Sequence, residues 1–295
     1  TQCAAEYPVR DGIGVFLTPD LPREDLWEEV GGQLTSHLRE NPEIRAQLMD
    51  RPLKDLEPAD QFFRAMVLEE QGKYQQAQMI MSQVEGRLYT EETLICQESQ
   101  FTYLLEHLRR TTGPVVDLAS GRGALILEIA RHTDRPVVAT DFSLRVLRAD
   151  RERFQALGYE HQVSLLAMDA RRTPFKTGSI RNLTTNQGLG NIRDGAGMLE
   201  ELRRIVCGEF LAVTHFYPEE DGTNRVAIEE LGLEDVLYRE ALEKRFEAAG
   251  WKVIPANICQ ARALPTPQSA ILDGLGIDAL PAAETELAWT TLVAR

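Results

Sequence analysis

Hydrophobic and polar positions change rhythm three times along the chain. From Glu6 to Leu17, short β-rich runs flank Asp11-Gly12, a strong turn signal, and predict a tight hairpin. From about residue 23 to 110 the apolar positions take helical spacing. Leu26, Val30, Leu34 and Leu38 stand four apart and form one stripe. Pro52 and Pro58 separate helices, and Ala65, Gly72, Tyr74 and Ala77 outline a helical hairpin turning at Gln71-Gly72-Lys73. No second copy follows at a period of about 34 residues, so a repeat array is not expected.

From residue 113 the rhythm becomes strand, helix, strand. Strands are predicted over 115–118, 136–140, 162–168, 182–185 and 210–214, with helices over 124–131, 143–156 and 198–206 between them. A helix over 235–249 ends at Gly250, which suits a left-handed cap, and further strands start at Trp251 and span 286–293. The insertion between them carries Pro265, Pro267 and Pro281 and is expected as a surface excursion. Such alternation implies an α/β fold, a doubly wound and mostly parallel sheet with helices on both faces. The helical stretch before it forms an N-terminal appendage. The expected division is residues 1–18, 19–94 and 95–295.

Composition narrows the function classes. At 295 residues, 43% hydrophobic and 26% charged, the chain can bury a full core and reads as an ordinary globular protein. No apolar run approaches the roughly 20 residues of a membrane helix. The opening stretch, Thr1 to Asp11, is neither a signal nor a transit peptide, so a cytoplasmic location is expected. A net charge of −14 counts against nucleic acid, whose binding relies on Lys and Arg displacing counterions. Cys3, Cys96, Cys207 and Cys259 make no CxxC pair, and free thiols are expected.

The chemistry concentrates at three strand ends. Val115-Val-Asp117-Leu-Ala119-Ser-Gly121-Arg-Gly123-Ala124 is a strand ending in an acid, a glycine-containing loop and a helix start. Glycines there let the backbone approach a ligand, and the helix N-terminus offers free N–H groups. The spacing is not the GxGxxG of a dinucleotide loop. The second strand ends in Asp141-Phe142-Ser143, where a carboxylate can accept from both hydroxyls of a ribose, Phe142 can pack on a base, and Asp141 or Ser143 can equally cap the next helix. The third ends in Met168-Asp169-Ala170, followed by Pro174-Phe175 and Ser179-Ile180.

This set resembles the class I, Rossmann-like S-adenosylmethionine-dependent methyltransferases over roughly residues 95–295. Gly121 and Gly123 match the last two glycines of the family's first motif, with Ala119 in place of the first. Leu199 to Gly208 and Phe246 to Trp251 resemble the stretches before its fifth and sixth strands. The resemblance implies a seven-stranded sheet and S-adenosylmethionine as cofactor. It implies a cofactor site of Asp117, Ala119, Gly121, Gly123, Asp141, Phe142, Asp169, Ala170 and Asn186, with Asp141 on the ribose and Asp169 on the adenine amino group. One departure is Arg181-Asn182, where the family usually starts its fourth strand with an acid. The Asn-Pro-Pro-Tyr motif of DNA and protein-glutamine methyltransferases is absent.

The first residues also resemble the end of the zinc-ribbon domain found beside some methyltransferases, through Tyr7, Pro8, Val9, Asp11, Gly12 and Ile13. Gly14 stands where Pro is usual, and Cys3 alone cannot build a four-ligand zinc site, so either the metal has been lost or its other ligands precede residue 1, and no bound zinc is expected in this chain.

Methyl transfer mainly needs alignment and exclusion of water, with a base only if the acceptor must lose a proton. His215 and Tyr217, just past the fifth strand of the alternating region, are the candidate catalytic residues. A small-molecule acceptor is favoured, and nothing excludes a homodimer. The N-terminal helices, with Tyr89, Gln97, Gln100 and Tyr103, are expected to cover the cofactor cleft and help form the acceptor pocket. The alternative is a catalytically silent, methyltransferase-like binding or regulatory protein. A nicotinamide-dependent oxidoreductase fits less well.

Overall fold

The computed structural model describes residues 6–21, 26–192 and 195–295. Strands β1 (Val9–Arg10) and β2 (Ile13–Val15) form the expected hairpin, with Asp11 (φ 54°) and Gly12 (φ 75°) both left-handed at its turn. The following helices are α1 (Leu26–Glu40), α2 (Pro42–Asp50), α3 (Pro58–Glu70), α4 (Tyr74–Val84) and α5 (Glu91–Arg109). The α3/α4 turn uses Gly72 at φ 73°. Leu34 and Leu38 of the predicted stripe are buried, whereas the side chains of Leu26 and Val30 lie outside the described residues, as does Cys3.

The alternating region follows as β3 (Val115–Leu118), α6 (Ala124–His132), β4 (Val137–Asp141), α7 (Leu144–Leu157), β5 (Val163–Ala167), β6 (Ile180–Asn186), α8 (Gly195–Ile205) and β7 (Val206–Phe216). After it come α9 (Gly222–Leu231), α10 (Glu234–Leu237), α11 (Arg239–Ala248), β8 (Val253–Ala263) and β9 (Thr285–Ala294). The strands form one sheet in the order β1-β2-β5-β4-β3-β6-β7-β9-β8. The neighbours from β2 to β7 are parallel, and β1/β2, β7/β9 and β9/β8 are antiparallel. The reversal of strand order at β3 places a ligand crevice outside the carboxyl ends of β3, β4 and β6.

The sheet therefore has nine strands rather than the expected seven. The seven from β5 to β8 in this order are the strands of the alternating region together with β8 and β9, and the N-terminal hairpin supplies the other two. β2 pairs in parallel with β5, Gly14 opposite Leu166, so the hairpin is part of the sheet and covers its edge. A Cβ at Gly14 would stand 2.9 Å from Leu166 Cδ2, so the Leu166 side chain would have to shift to admit one.

Helices α5, α6 and α7 pack one face of the sheet through Leu104, Leu108, Leu125, Ile129, Leu147 and Phe154. Helices α8 and α11 pack the other through Leu199, Leu202, Leu242 and Phe246, closed by Trp251, whose indole N–H donates to Leu199 O at 2.9 Å. Helix α11 ends at Gly250 (φ 83°), as the sequence predicts.

A third core lies beyond these two faces. Leu34, Leu38, Leu48 and Phe63 of α1, α2 and α3 bury Leu272 from the segment between β8 and β9. Asp60 Oδ1 on α3 accepts from Ser269 Oγ and from the Ile271 amide at 3.3 Å. The insertion is largely exposed, as expected, but Leu272, with the half-buried Ile271 and Ile277, anchors it in the core of the helical appendage. The expected boundary at residue 94 falls inside α5, which runs unbroken from the appendage onto β8 and β9. Gln100 Nε2 donates to Asn257 O at 2.7 Å, and Thr291 Oγ1 donates to Gln100 Oε1 at 2.8 Å. The free-thiol expectation also fails for two residues, because Cys96 on α5 and Cys259 on β8 form a disulfide.

Candidate functional site

Strand β3 ends in a loop built from alternating left-handed residues: Ala119 (φ 49°), Gly121 (φ 51°) and Gly123 (φ 69°). Gly123 caps α6, and a Cβ there would stand 2.8 Å from the Phe154 ring. Ala119 occupies a conformation natural to glycine at the position where the family motif has one. The room for its methyl comes from Gly188, where a Cβ would lie 2.8 Å from Ala119 Cβ and 2.5 Å from Thr185 Oγ1.

The three predicted acids stand at the ends of three neighbouring strands. Asp117 is buried under the loop and accepts from Thr184 Oγ1 at 2.6 Å; burial raises its carboxyl to about 7. Asp141 accepts from the Gly121 amide at 3.1 Å and the Ser143 amide at 2.9 Å, which joins the loop to the end of β4. Ser143 itself caps α7, its hydroxyl accepting from the Val146 amide. Asp169 is gripped by Arg171, whose Nε and Nη2 donate at 2.9 and 2.7 Å. Ala170 is buried beside it, and Phe142 is half-buried after β4. Two polar atoms flank the loop without a partner in the protein: Ser120 Oγ and Asn186 Oδ1. Asn182, at the family's missing acid, donates to Thr112 O at 2.9 Å and Pro114 O at 3.1 Å, and so pins the entry into β3.

The appendage closes on this loop. Glu69 of α3 binds Arg122 Nη2 at 2.7 Å and Arg153 Nη2 at 3.1 Å, and Arg122 lies over the Phe62 ring at 5.7 Å.

Beyond the ends of β6 and β7 lies a cavity of about 430 Å³. Its polar wall includes Tyr89, Gln97, Gln187, Asn191, His215 and Tyr217, and Leu233, Val236, Leu280, Leu287 and Trp289 supply much of its apolar surface. Gln187, Leu189, Gly190 and Asn191 line it while Gly188, within the same loop, packs on Ala119. A single turn of chain separates the glycine loop from the cavity. His215 Nδ1, Tyr217 Oη and Trp289 Nε1 are all buried and without a partner in the protein. The imidazole packs 5.7 Å from the Tyr217 ring and 5.1 Å from the Trp289 ring, between centroids. Burial pushes His215 down to about 4 and the Tyr217 phenol well up, so both are neutral near pH 7.

Of the expected lid residues, Tyr89 and Gln97 reach this cavity. Gln100 is turned to Asn257 and Thr291, and Tyr103 packs on the sheet core near His107, so neither faces the cleft. Gln187, which with Asn186 the sequence places where an acceptor or the methionine tail would lie, does line the cavity, whereas sequence reading missed Ser120, Gly188 and Trp289. Gly188 carried a signal, as a glycine directly after the polar end of β6; Trp289, inside a strand, carried none. Among the described residues no group of three or more His, Cys, Asp or Glu could hold a metal ion. No helix among them is long and apolar enough to cross a membrane.

Comparison with known proteins agrees with this architecture. Residues 115–207 match the family model of the methyltransferase domain. A ubiquinone/menaquinone biosynthesis C-methyltransferase (UbiE) of Geotalea uraniireducens is 30% identical over 103 residues, 34% of this chain and 44% of that protein. A demethylmenaquinone methyltransferase of Mycobacterium sp. (strain KMS) is 36% identical over 131 residues, 44% of this chain and 49% of that protein. The chain thus spans less than half the length of these curated relatives. The YcgJ protein of Bacillus subtilis superposes with a TM-score of 0.50 at 16% identity, over 67% of this chain and 97% of that one. The fold is the class I methyltransferase fold, with a helical appendage and a two-strand edge extension.

Proposed function

We propose that the chain is an S-adenosylmethionine-dependent methyltransferase whose acceptor is a small, largely apolar molecule held in the cavity beside His215. The observation that carries this reading is the convergence of Asp117, Asp141 and Asp169 at three adjacent strand ends, around a loop of three left-handed residues. The residues fit the cofactor. The glycines of the loop let its backbone approach a ligand, and Ser120 Oγ and Asn186 Oδ1 await polar partners. Asp141 would take the ribose hydroxyls, Phe142 and Ala170 the adenine ring, Asp169 its amino group, and the loop with Asn186 the methionine tail.

Bound there, the cofactor supplies a methyl group already activated on a sulfonium. The chain's own part is to align the acceptor and exclude water. Neutral His215 and Tyr217 hold the acceptor's polar group, and His215 Nδ1, in the tautomer protonated on Nε2, can receive a proton from it. The apolar wall and the net charge of −14 favour a small molecule over nucleic acid. We read residues 19–94 as the cover of the site and 95–295 as the cofactor-binding domain.

Titration calorimetry with S-adenosylhomocysteine, and separately with NAD, tests the reading. The expected result is one micromolar site per chain for the former and none for the latter. Binding of NAD, or of neither, contradicts it.

A further inference from the structure

We propose that the molecule methylated in this cavity is a cationic amine carrying an oxygen function on an otherwise apolar body. The proposal rests on the reading of the cavity as the acceptor site and names its substrate class.

The first observation is the sign of the wall. Glu85 and Asp278 line the cavity, and no Lys or Arg does among the described residues. His215 is neutral there. Both acids stand exposed at the rim, so an anionic acceptor would meet like charge with no counter-charge in the wall, whereas an ammonium would meet opposite charge. Asp278 is placed for this purpose. It belongs to the segment between β8 and β9 that packs on the appendage, and its Oδ2 accepts from Tyr89 Oη at 2.9 Å. Asp278 stays open to solvent at the rim, where a cation can pair with it without a large desolvation cost.

The second observation is aromatic. Tyr89, Tyr217 and Trp289 line the same space, and aromatic rings attract a cation beside them. The third is the set of buried atoms without partners. His215 Nδ1 and Tyr217 Oη can accept from the hydrogens of an amine. Trp289 Nε1 is a donor only and requires an oxygen on the same ligand. In the transfer itself the ammonium first loses a proton to solvent. The nitrogen lone pair then forms the bond to the methyl carbon, and the carbon–sulfur bond breaks onto sulfur to leave a neutral thioether.

Three probes of one shape test this: tyramine, tyrosol and 4-hydroxyphenylacetate, which are cationic, neutral and anionic. Calorimetry on the full chain, with and without saturating S-adenosylhomocysteine, should show tyramine binding at least tenfold more tightly than tyrosol and no binding of 4-hydroxyphenylacetate. Asp278→Asn should cut the tyramine advantage to below about threefold while the affinity for S-adenosylhomocysteine stays unchanged. Should that variant misfold, Glu85→Gln provides the same comparison. Equal or tighter binding of tyrosol or 4-hydroxyphenylacetate overturns the proposal, as does the absence of tyramine binding at millimolar concentration. Failure of S-adenosylhomocysteine to bind counts against the methyltransferase reading instead, and the cofactor-free titrations still decide the charge preference.

Discussion

The backbone amide of Gly121 donates to Asp141 Oδ2 at 3.1 Å, so the loop after β3 and the acid ending β4 hold each other in place. The other oxygen of the same carboxylate accepts from the Ser143 amide at 2.9 Å. A carboxylate has about four acceptor directions, so hydroxyls arriving from the crevice would share it with these amides. Asp141 is at once an architectural clamp and a candidate cofactor ligand.

Asp141→Ala should therefore weaken S-adenosylhomocysteine binding by roughly 1–3 kcal/mol, the cost of unpaired polar partners. It should also lower the melting temperature by a few degrees through the freed Gly121 amide. Calorimetry and thermal melting read the two effects separately. Unchanged affinity removes Asp141 from the site.

Much of this arrangement was legible in the sequence because each part is local. An apolar run, an acid, glycines and a renewed helical stripe follow within ten residues of Val115; the run, acid and helix recur without glycines at Asp141, and the run and acid at Asp169. What escaped is non-local. The periodicity of Ile13-Gly14-Val15 says strand, but nothing in it names β5 as partner. Leu272 reads as one apolar residue in a proline-rich insertion, yet it enters the core of helices more than 200 positions earlier. Gln100 looks free on its helix stripe, and only the bulged register of β8 at Asn257 turns it away from the cleft. Periodicity encodes which face is buried; the partner that buries it is set by topology.

Ala119 and Gly188 share space for one methyl group. Left-handed alanine costs about 1–2 kcal/mol that glycine avoids, partly offset by the greater freedom of glycine in the unfolded chain. Ala119→Gly should leave stability unchanged or raise it by up to about 1 kcal/mol. Gly188→Ala should lower it by roughly 1–3 kcal/mol through overpacking. Urea unfolding measures both, and a marked loss in Ala119→Gly would show that the methyl is a needed packing element.

Asp150, on the buried face of α7, has its carboxyl raised to about 8 by burial, against the opposing effect of Arg153 at 3.5 Å. The folded chain holds this proton more tightly than the unfolded chain, whose ordinary value is 3.8. Its contribution to stability is therefore fully present below that value and is lost as pH rises through about 8. Asp150→Asn should gain on the parent steadily between pH 4 and 8 in urea unfolding. A gap independent of pH would mean that Asp150 is ionised and paired throughout.

The Cys96–Cys259 disulfide closes a separation of 163 residues and ties α5, which carries Gln97 into the cavity, to β8. Thiol labelling of the denatured, unreduced chain should find two fewer reactive cysteines than after reduction. Reduction should cost about 2–5 kcal/mol of stability. Full labelling without reductant would refute the bridge.

The most direct test of the whole reading follows the methyl group itself. The full chain is incubated with S-adenosylmethionine labelled on the methyl carbon and a protein-free extract of the cells that make it, then resolved by chromatography. Transfer of label to a small, organic-soluble compound, with an equal amount of S-adenosylhomocysteine released and a loss of at least tenfold in His215→Ala, is the expected result. Tight binding of S-adenosylhomocysteine with no label leaving the donor would contradict it and identify a silent binding protein on the same fold.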